Sequence, residues 1–166
     1  QRLEEADKLK NTVIVLAGDH YPYYVFEGDR NSLQGHKVEK NFEMYKSTCI
    51  IWTGGLDEPI YVDDCCCNVD IFPTILNLFG MEYDSRLMAG RDIFSDTAHF
   101  AALYNKNFIT KEVMYNSADG KATWAEGVEL SDEEKTQYLD YYNALVKDRY
   151  NMCLKIESTD FYKFVW

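Results

Sequence analysis

The run Thr12-Val13-Ile14-Val15-Leu16-Ala17 constrains this chain more than any other stretch. It is rich in β-branched residues and has no polar alternation, the pattern of a central strand covered on both faces. Before it, Leu3, Ala6 and Leu9 recur at three-residue spacing among charges, which reads as the last turns of an amphipathic helix over residues 2–10, punctuated by Asn11. Helix followed by buried strand predicts a parallel α/β sheet. The chain opens at Gln1 inside that helix, so a truncated N-terminus is expected.

A second strand of the same kind is Thr48-Cys49-Ile50-Ile51-Trp52, ended by Thr53-Gly54-Gly55. The two are separated by a polar, turn-rich connection of about 30 residues, expected to lack regular structure and to carry function. Further on, Asp70 is placed to cap a helix in which Ile71, Phe72, Ile75, Leu76 and Phe79 share one face, with Pro73 in the first turn and Gly80 at the end. From His99 the texture changes to short runs over 100–104, 107–110, 112–116 and 121–124, with Asp119-Gly120 as a hairpin signal, which predicts an antiparallel meander. Ser131 and Glu134 form an S-x-x-E capping box ahead of Tyr138, Tyr142, Leu145, Arg149, Met152, Cys153 and Ile156 at helical spacing. That long helix is expected to pack on the meander. The expected organisation is an α/β part over residues 1–98, then strands and C-terminal helix over 99–166 packed on the same domain.

Composition limits the partners. With 46% apolar and 15% aromatic residues in 166, the chain can build a core. Its 17 Lys and Arg against 28 Asp and Glu give a formal charge of −11, which repels polyphosphate backbones, so no nucleic acid partner is expected. The longest apolar run, Val13 to Ala17, is far shorter than the roughly 20 residues of a membrane-spanning helix. Five cysteines, three of them adjacent as Cys65, Cys66 and Cys67, do not make a secreted disulfide framework. The triplet also lacks C-x-x-C spacing and a nearby His, so it reads as small, partly buried residues entering a helix rather than as a metal site.

The chemistry is expected at Gly18-Asp19-His20, directly after the first strand. Ligands of open α/β sheets bind at the carboxyl ends of strands, where loops converge over a rigid base. A carboxylate and an imidazole side by side suit a divalent ion such as Mn²⁺ or Zn²⁺, which polarises a phosphoryl or sulfuryl oxygen. The same dipeptide also serves as a plain turn with a satisfied strand-end histidine. His36, in the long connection, is a candidate substrate contact or an exposed loop histidine, whereas His99 at the start of a strand reads as structural. Tyr21-Pro22-Tyr23-Tyr24 is either an aromatic wall for a substrate or local packing. No Walker loop, G-x-G-x-x-G, G-x-S-x-G or H-E-x-x-H string occurs, which removes the commonest nucleotide, hydrolase and zincin chemistries.

These strings resemble a known family. Asn11-Thr12-Val13-Ile14-Val15-Leu16-Ala17-Gly18-Asp19-His20-Tyr21 is similar to the strand and metal-binding turn of lipoteichoic acid synthases and related phosphoglycerol transferases, in the sulfatase-like branch of the alkaline phosphatase superfamily. Val69-Asp70-Ile71-Phe72-Pro73-Thr74-Ile75 looks like the family's D-x-x-P-T-[IL] helix, Gly90-Arg91-Asp92-Ile93-Phe94-Ser95 like its G-R-D segment, and Asn107-Phe108-Ile109-Thr110 like the strand that follows. The resemblance runs over about residues 1 to 116 and implies the C-terminal part of a sulfatase-like sheet sandwiched by helices.

It also implies a reaction. In such enzymes a Thr nucleophile attacks the phosphorus of phosphatidylglycerol, diacylglycerol leaves, and the glycerophosphoryl group passes to a glycerophosphate or glycan acceptor. The resemblance makes Asp19 and His20 metal ligands, for Mn²⁺ or alternatively Mg²⁺, Zn²⁺ or Ca²⁺; Tyr21 and His36 stand as candidate substrate contacts on the reading of the residues alone. It assigns the nucleophile and the remaining ligands to segments preceding this sequence. Thr12, Thr48, Thr53, Thr74 and Thr110 match other parts of the pattern. By the same resemblance the chain alone shows no turnover, its parent is anchored by transmembrane helices on the extracellular face of a bacterial membrane, and an uncovered sheet edge invites self-association. Two alternatives stand beside this: another sulfatase-like ester hydrolase, although no C-x-P-S-R string is present, and a non-catalytic interaction module using the Tyr-rich stretches.

Overall fold

The computed structural model describes residues 2–165, in two compact units over residues 1–63 and 64–166. Gln1, expected to lie inside the opening helix, is outside the described residues.

In the first unit the helical pattern before the strand breaks in two. Helix α1 (Arg2–Glu5) stops at Asp7, which takes a left-handed φ of 53°, and a 3₁₀ turn (Leu9–Asn11) leads into β1 (Val13–Ala17). Strand β1 pairs with β2 (Cys49–Thr53), and the pairing is antiparallel, Val13 opposite Thr53 and Ala17 opposite Cys49. The expectation of a parallel sheet is thus corrected. An apolar run states that a strand wants cover but says nothing of its neighbour's direction, and the connection returns without a crossover helix packed on the sheet. Nor are the two strands covered here: Leu16 is 58% exposed and Ile50 52%.

The long connection is not structureless, a second correction. It contains α2 (Glu27–Gln34), ended by Gly35 at φ 74°, and a 3₁₀ turn (Glu43–Tyr45). Helix α2 buries no residue and contains Gly28 and Asn31, so it lacks the apolar stripe from which helices are read; its signals are only Glu27 and Asp29 in the first turn and the terminal glycine.

The second unit begins with a 3₁₀ turn (Asn68–Asp70) running into α3 (Ile71–Leu78). Asp70 does not cap α3 from outside, as expected. Its carboxylate reaches back to accept the Cys67 N–H at 2.8 Å and also accepts the Arg91 N–H at 2.8 Å. The buried side of α3 is Pro73, Thr74 and Leu76, while Phe72 and Phe79 face outward. Gly80 at φ 62° ends the helix as expected, with Gly80 N–H donating to Asn77 O and Met81 N–H to Leu76 O.

The G-R-D segment lies directly against this helix. Thr74 Oγ1 donates to Asp70 O at 2.6 Å and accepts the Ile93 N–H at 3.0 Å, and Asn77 Nδ2 donates to Asp92 at 2.6 Å. Gly90 passes so close that a Cβ there would lie 1.8 Å from Val69 O. The meander follows as expected, with β3 (Ala101–Ala102), β4 (Phe108–Ile109), β5 (Val113–Asn116) and β6 (Lys121–Trp124) pairing antiparallel in chain order.

Helix α4 (Asp132–Thr159) starts at the predicted capping box, Ser131 and Glu134 bonding reciprocally. Its Tyr142 and Val146 close a core with Phe100, Phe108 and Val113. Tyr138 fixes its hydroxyl between Thr110 (2.8 Å) and Glu112 (2.5 Å), and burial, reinforced by Glu112, pushes that phenol above its ordinary value. A short α5 (Tyr162–Val165) follows, anchored by Tyr162 Oη donating to Leu87 O.

Candidate functional site

The turn after β1 presents Asp19 and His20 side by side. Asp19 Oδ1 lies 3.6 Å from His20 Nε2, with the Asp19 side chain 88% exposed and that of His20 47%. The other imidazole nitrogen, Nδ1, is 2.8 Å from the Tyr21 carbonyl oxygen. A carbonyl only accepts, so Nδ1 is the donor, and in the neutral ring Nε2 has its lone pair on the side of the Asp19 carboxylate. This is the arrangement by which protein metal sites orient an imidazole, the second nitrogen tied to a backbone oxygen.

The donors present therefore fit part of a divalent-ion site. One anionic oxygen and one neutral imidazole nitrogen at this separation can both face one ion of borderline hardness. Two donors do not complete a coordination shell, and among the described residues no cluster of three or more His, Cys, Asp or Glu is placed to hold a metal.

Around these two residues the rings form a chain. His20 and Tyr23 have centroids 4.5 Å apart, Tyr21 meets Tyr23 edge-on at 5.2 Å, and Tyr21 meets Tyr45 edge-on at 5.1 Å. Tyr23 in turn touches Tyr24, which is largely exposed. Packing and an exposed aromatic surface are both present: Tyr21 is braced between rings while Tyr24 is open to solvent.

His36 is engaged at both nitrogens. Nε2 is 2.6 Å from Glu43 Oε1 and Nδ1 is 3.1 Å from Gln34 O. Both neighbours are acceptors, so the ring must donate twice, which requires the imidazolium. The hydrogen bond to Glu43, then the Glu43 charge, raise the His36 pKa above the ordinary histidine value, while the Glu39 backbone N–H, then the His36 contact, hold Glu43 below the ordinary glutamate value. Glu43 and Tyr45 carry no sequence signature that would single them out; the return path of the connection brings them here.

In the second unit, His99 hydrogen-bonds Ser95 O at 2.8 Å. Of the family-like residues, Asp70 faces the Arg149 guanidinium at 3.4 Å, with only 6% and 8% of the two side chains exposed, and Arg91 donates to Ala98 O at 3.1 Å. Arg149 also donates to Cys67 Sγ at 3.1 Å and lies over the Phe100 ring at 4.1 Å. Burial, then Asp70, push the Cys67 thiol up to about 11, which keeps it protonated and inert as a nucleophile.

Comparison with known proteins bears on this arrangement. Residues 1–81 match the sulfatase family model. The chain is 29% identical over 122 residues to the lipoteichoic acid synthase-like protein YvgJ of Bacillus subtilis, covering 69% of this chain and 20% of that protein. It is 30% identical over 115 residues to the lipoteichoic acid synthase of Staphylococcus aureus, covering 63% of this chain and 17% of that one. The crystal structure of the lipoteichoic acid synthase LtaP from Listeria monocytogenes superposes on 90% of this chain and 40% of that chain, with a TM-score of 0.65 at 21% identity, which shows a shared fold.

The segment that matches the sulfatase model includes the strand-end Asp-His turn. The chain is similar to lipoteichoic acid synthases in sequence and in fold. The chain spans about a fifth of the length of the curated relatives it matches.

Proposed function

We propose that this chain supplies part of the reaction centre of a phosphoglycerol transferase working on the extracellular face of a bacterial membrane. The substrate would be a phosphatidylglycerol-like lipid headgroup and the acceptor a glycerophosphate or glycan chain. The glycerophosphoryl group would pass through a threonine that lies outside this chain, with diacylglycerol as leaving group. A divalent ion, Mn²⁺ or alternatively Mg²⁺, Zn²⁺ or Ca²⁺, would supply charge neutralisation at the phosphoryl oxygens.

The observation that carries this reading is the Asp19–His20 pair, 3.6 Å between donor atoms and directly after β1. Asp19 contributes the anionic oxygen. His20 contributes Nε2, held in the correct tautomer by the Tyr21 carbonyl. Tyr21, braced between Tyr23 and Tyr45, is a side wall against which a headgroup can lie. The uncovered β1–β2 ribbon fits a strand pair with further cover to gain, from the rest of a longer polypeptide or by self-association.

Among the described residues no helix is long and apolar enough to cross a membrane, so an anchor would have to lie elsewhere. The test is Asp19→Ala at the native gene, followed by transfer from radiolabelled phosphatidylglycerol in isolated membranes. Loss of polymer labelling and of diacylglycerol release is expected; undiminished labelling overturns the proposal.

A further inference from the structure

The connection between β1 and β2 is tied down more heavily than an exposed loop needs to be, and its ties converge on one point. Lys40 pairs with Glu27 at 2.9 Å, Asn31 Oδ1 accepts the Val38 N–H at 2.9 Å, and Arg30 donates to Pro22 O at 3.2 Å. Glu39 and Glu43 cap each other: the Glu39 carboxylate accepts the Asn41 and Phe42 N–H groups at 2.8 and 2.7 Å, and Glu43 Oε2 accepts the Glu39 N–H at 2.9 Å. The other Glu43 oxygen holds His36 at 2.6 Å. Glu43 opens the 3₁₀ turn whose last residue, Tyr45, packs edge-on against Tyr21. Tyr21 supplies the carbonyl that fixes the His20 tautomer.

We propose that His36 is a positioning residue: its contact with Glu43 holds the Glu43–Tyr45 turn so that the Tyr45 ring braces Tyr21 beside His20, and loss of the His36 proton releases that brace. The inference rests on the reading of Asp19 and His20 as a metal half-site, and gives His36 a role at that site that does not require it to touch substrate.

The physical argument is a count of donors. The imidazolium has two N–H groups for two acceptors, Gln34 O and Glu43 Oε1. The neutral ring has one, so deprotonation must abandon one partner, and either loss loosens the link between the end of α2 and the Glu43–Tyr45 turn. The charged groups that bear on this contact are Glu43 itself, Lys46, which acts on Glu43 from just beyond the turn, and Glu39, already bonded to backbone N–H groups; Lys40 is paired with Glu27. Glu43 is thus the anion on which the His36 proton depends.

The coupling runs through direct contacts, from His36 to Glu43, Tyr45, Tyr21 and the His20 ring, all within the first unit. It predicts that the half-site is braced only on the acid side of the His36 transition.

The test is an NMR titration of the 166-residue chain with labelled histidine and tyrosine rings, from pH 5 to 9. In the wild type the Tyr21 and Tyr45 ring signals are expected to move with the midpoint of His36. In His36→Ala that common movement disappears. His36→Lys, which keeps a cation opposite Glu43, is expected to hold both rings at their acid-form positions through neutral pH. Should His36→Ala fail to fold, Glu43→Gln serves: the His36 midpoint falls and the tyrosine signals follow it. Tyrosine rings that ignore the His36 midpoint, or that keep their movement in the variants, overturn the inference. Adding Mn²⁺ separates this from the reading beneath it. Coupled titration with no Mn²⁺ effect at His20 defeats the half-site and leaves the brace, whereas Mn²⁺ broadening without coupling defeats the brace alone.

Discussion

The Thr74 hydroxyl accepts the Ile93 N–H at 3.0 Å while donating to Asp70 O at 2.6 Å, and Thr74 is fully buried. One side chain therefore joins α3 to the G-R-D segment, 19 residues away in sequence. Thr74→Val keeps the shape and leaves the part-buried Ile93 N–H without this partner, at a cost of about 1–3 kcal/mol. Chemical denaturation followed by circular dichroism checks this, and Thr74→Ser, which keeps the hydroxyl, is expected to recover a large part of the loss.

Gly90 makes the same junction from the other side. A methyl group placed 1.8 Å from Val69 O cannot be accommodated without moving backbone that also carries the Asp70 contacts. Gly90→Ala is expected to destabilise by about 3 kcal/mol, at the upper end of ordinary overpacking. The comparison that matters is with Gly28→Ala, whose Cβ meets nothing within 4 Å and which should leave the melting temperature unchanged or raise it.

Asp70 and Arg149 form a buried ion pair that α4 brings back onto the turn before α3. Removing the guanidinium in Arg149→Ala leaves a carboxylate with 6% exposure without its ion-pair partner, a loss of about 3–5 kcal/mol. The double variant Asp70→Asn, Arg149→Ala should lose less than the sum of the two single changes, measured as a coupling energy in denaturant.

Much of this architecture is legible before any coordinates. The Asp119-Gly120 hairpin and the Ser131/Glu134 capping box are local rules, and local rules carry over intact: β5, β6 and the start of α4 fall where they predict. Asp19 and His20 are equally visible, because a strand end followed by polar residues is a positional signal. What the sequence hides is relational. The direction of β2 beside β1 leaves no trace in an apolar run, and α2 has no apolar stripe to announce it. Arg149 sits on the inner stripe of α4, where its charge marks a buried partner, but which carboxylate it meets depends on a turn 79 residues away. His36 is conspicuous, yet its partner Glu43 is not.

The His36–Glu43 contact gives the first unit a definite pH dependence. His36 is raised above its ordinary 6.5, so its contribution is fully present below that value and is lost as pH rises through the raised folded-state pKa. Glu43 is lowered from 4.5, so its contribution is present above 4.5 and is lost as pH falls through the lowered value. The contact is exposed and salt-screened, so the effect is small. Hydrogen exchange of the amides in residues 36–46 is expected to quicken above the His36 transition beyond the ordinary base-catalysed rise, and Glu43→Gln should remove that excess.

The central claim is that Asp19 and His20 together face a divalent ion. Mn²⁺ titrated into the wild-type chain should broaden the His20 ring signals and the Asp19 backbone amide ahead of all others, through paramagnetic relaxation. Asp19→Ala should abolish that selective broadening while leaving the spectrum of the folded chain in place. Broadening that centres on other carboxylates, or that persists at His20 unchanged in Asp19→Ala, contradicts the account.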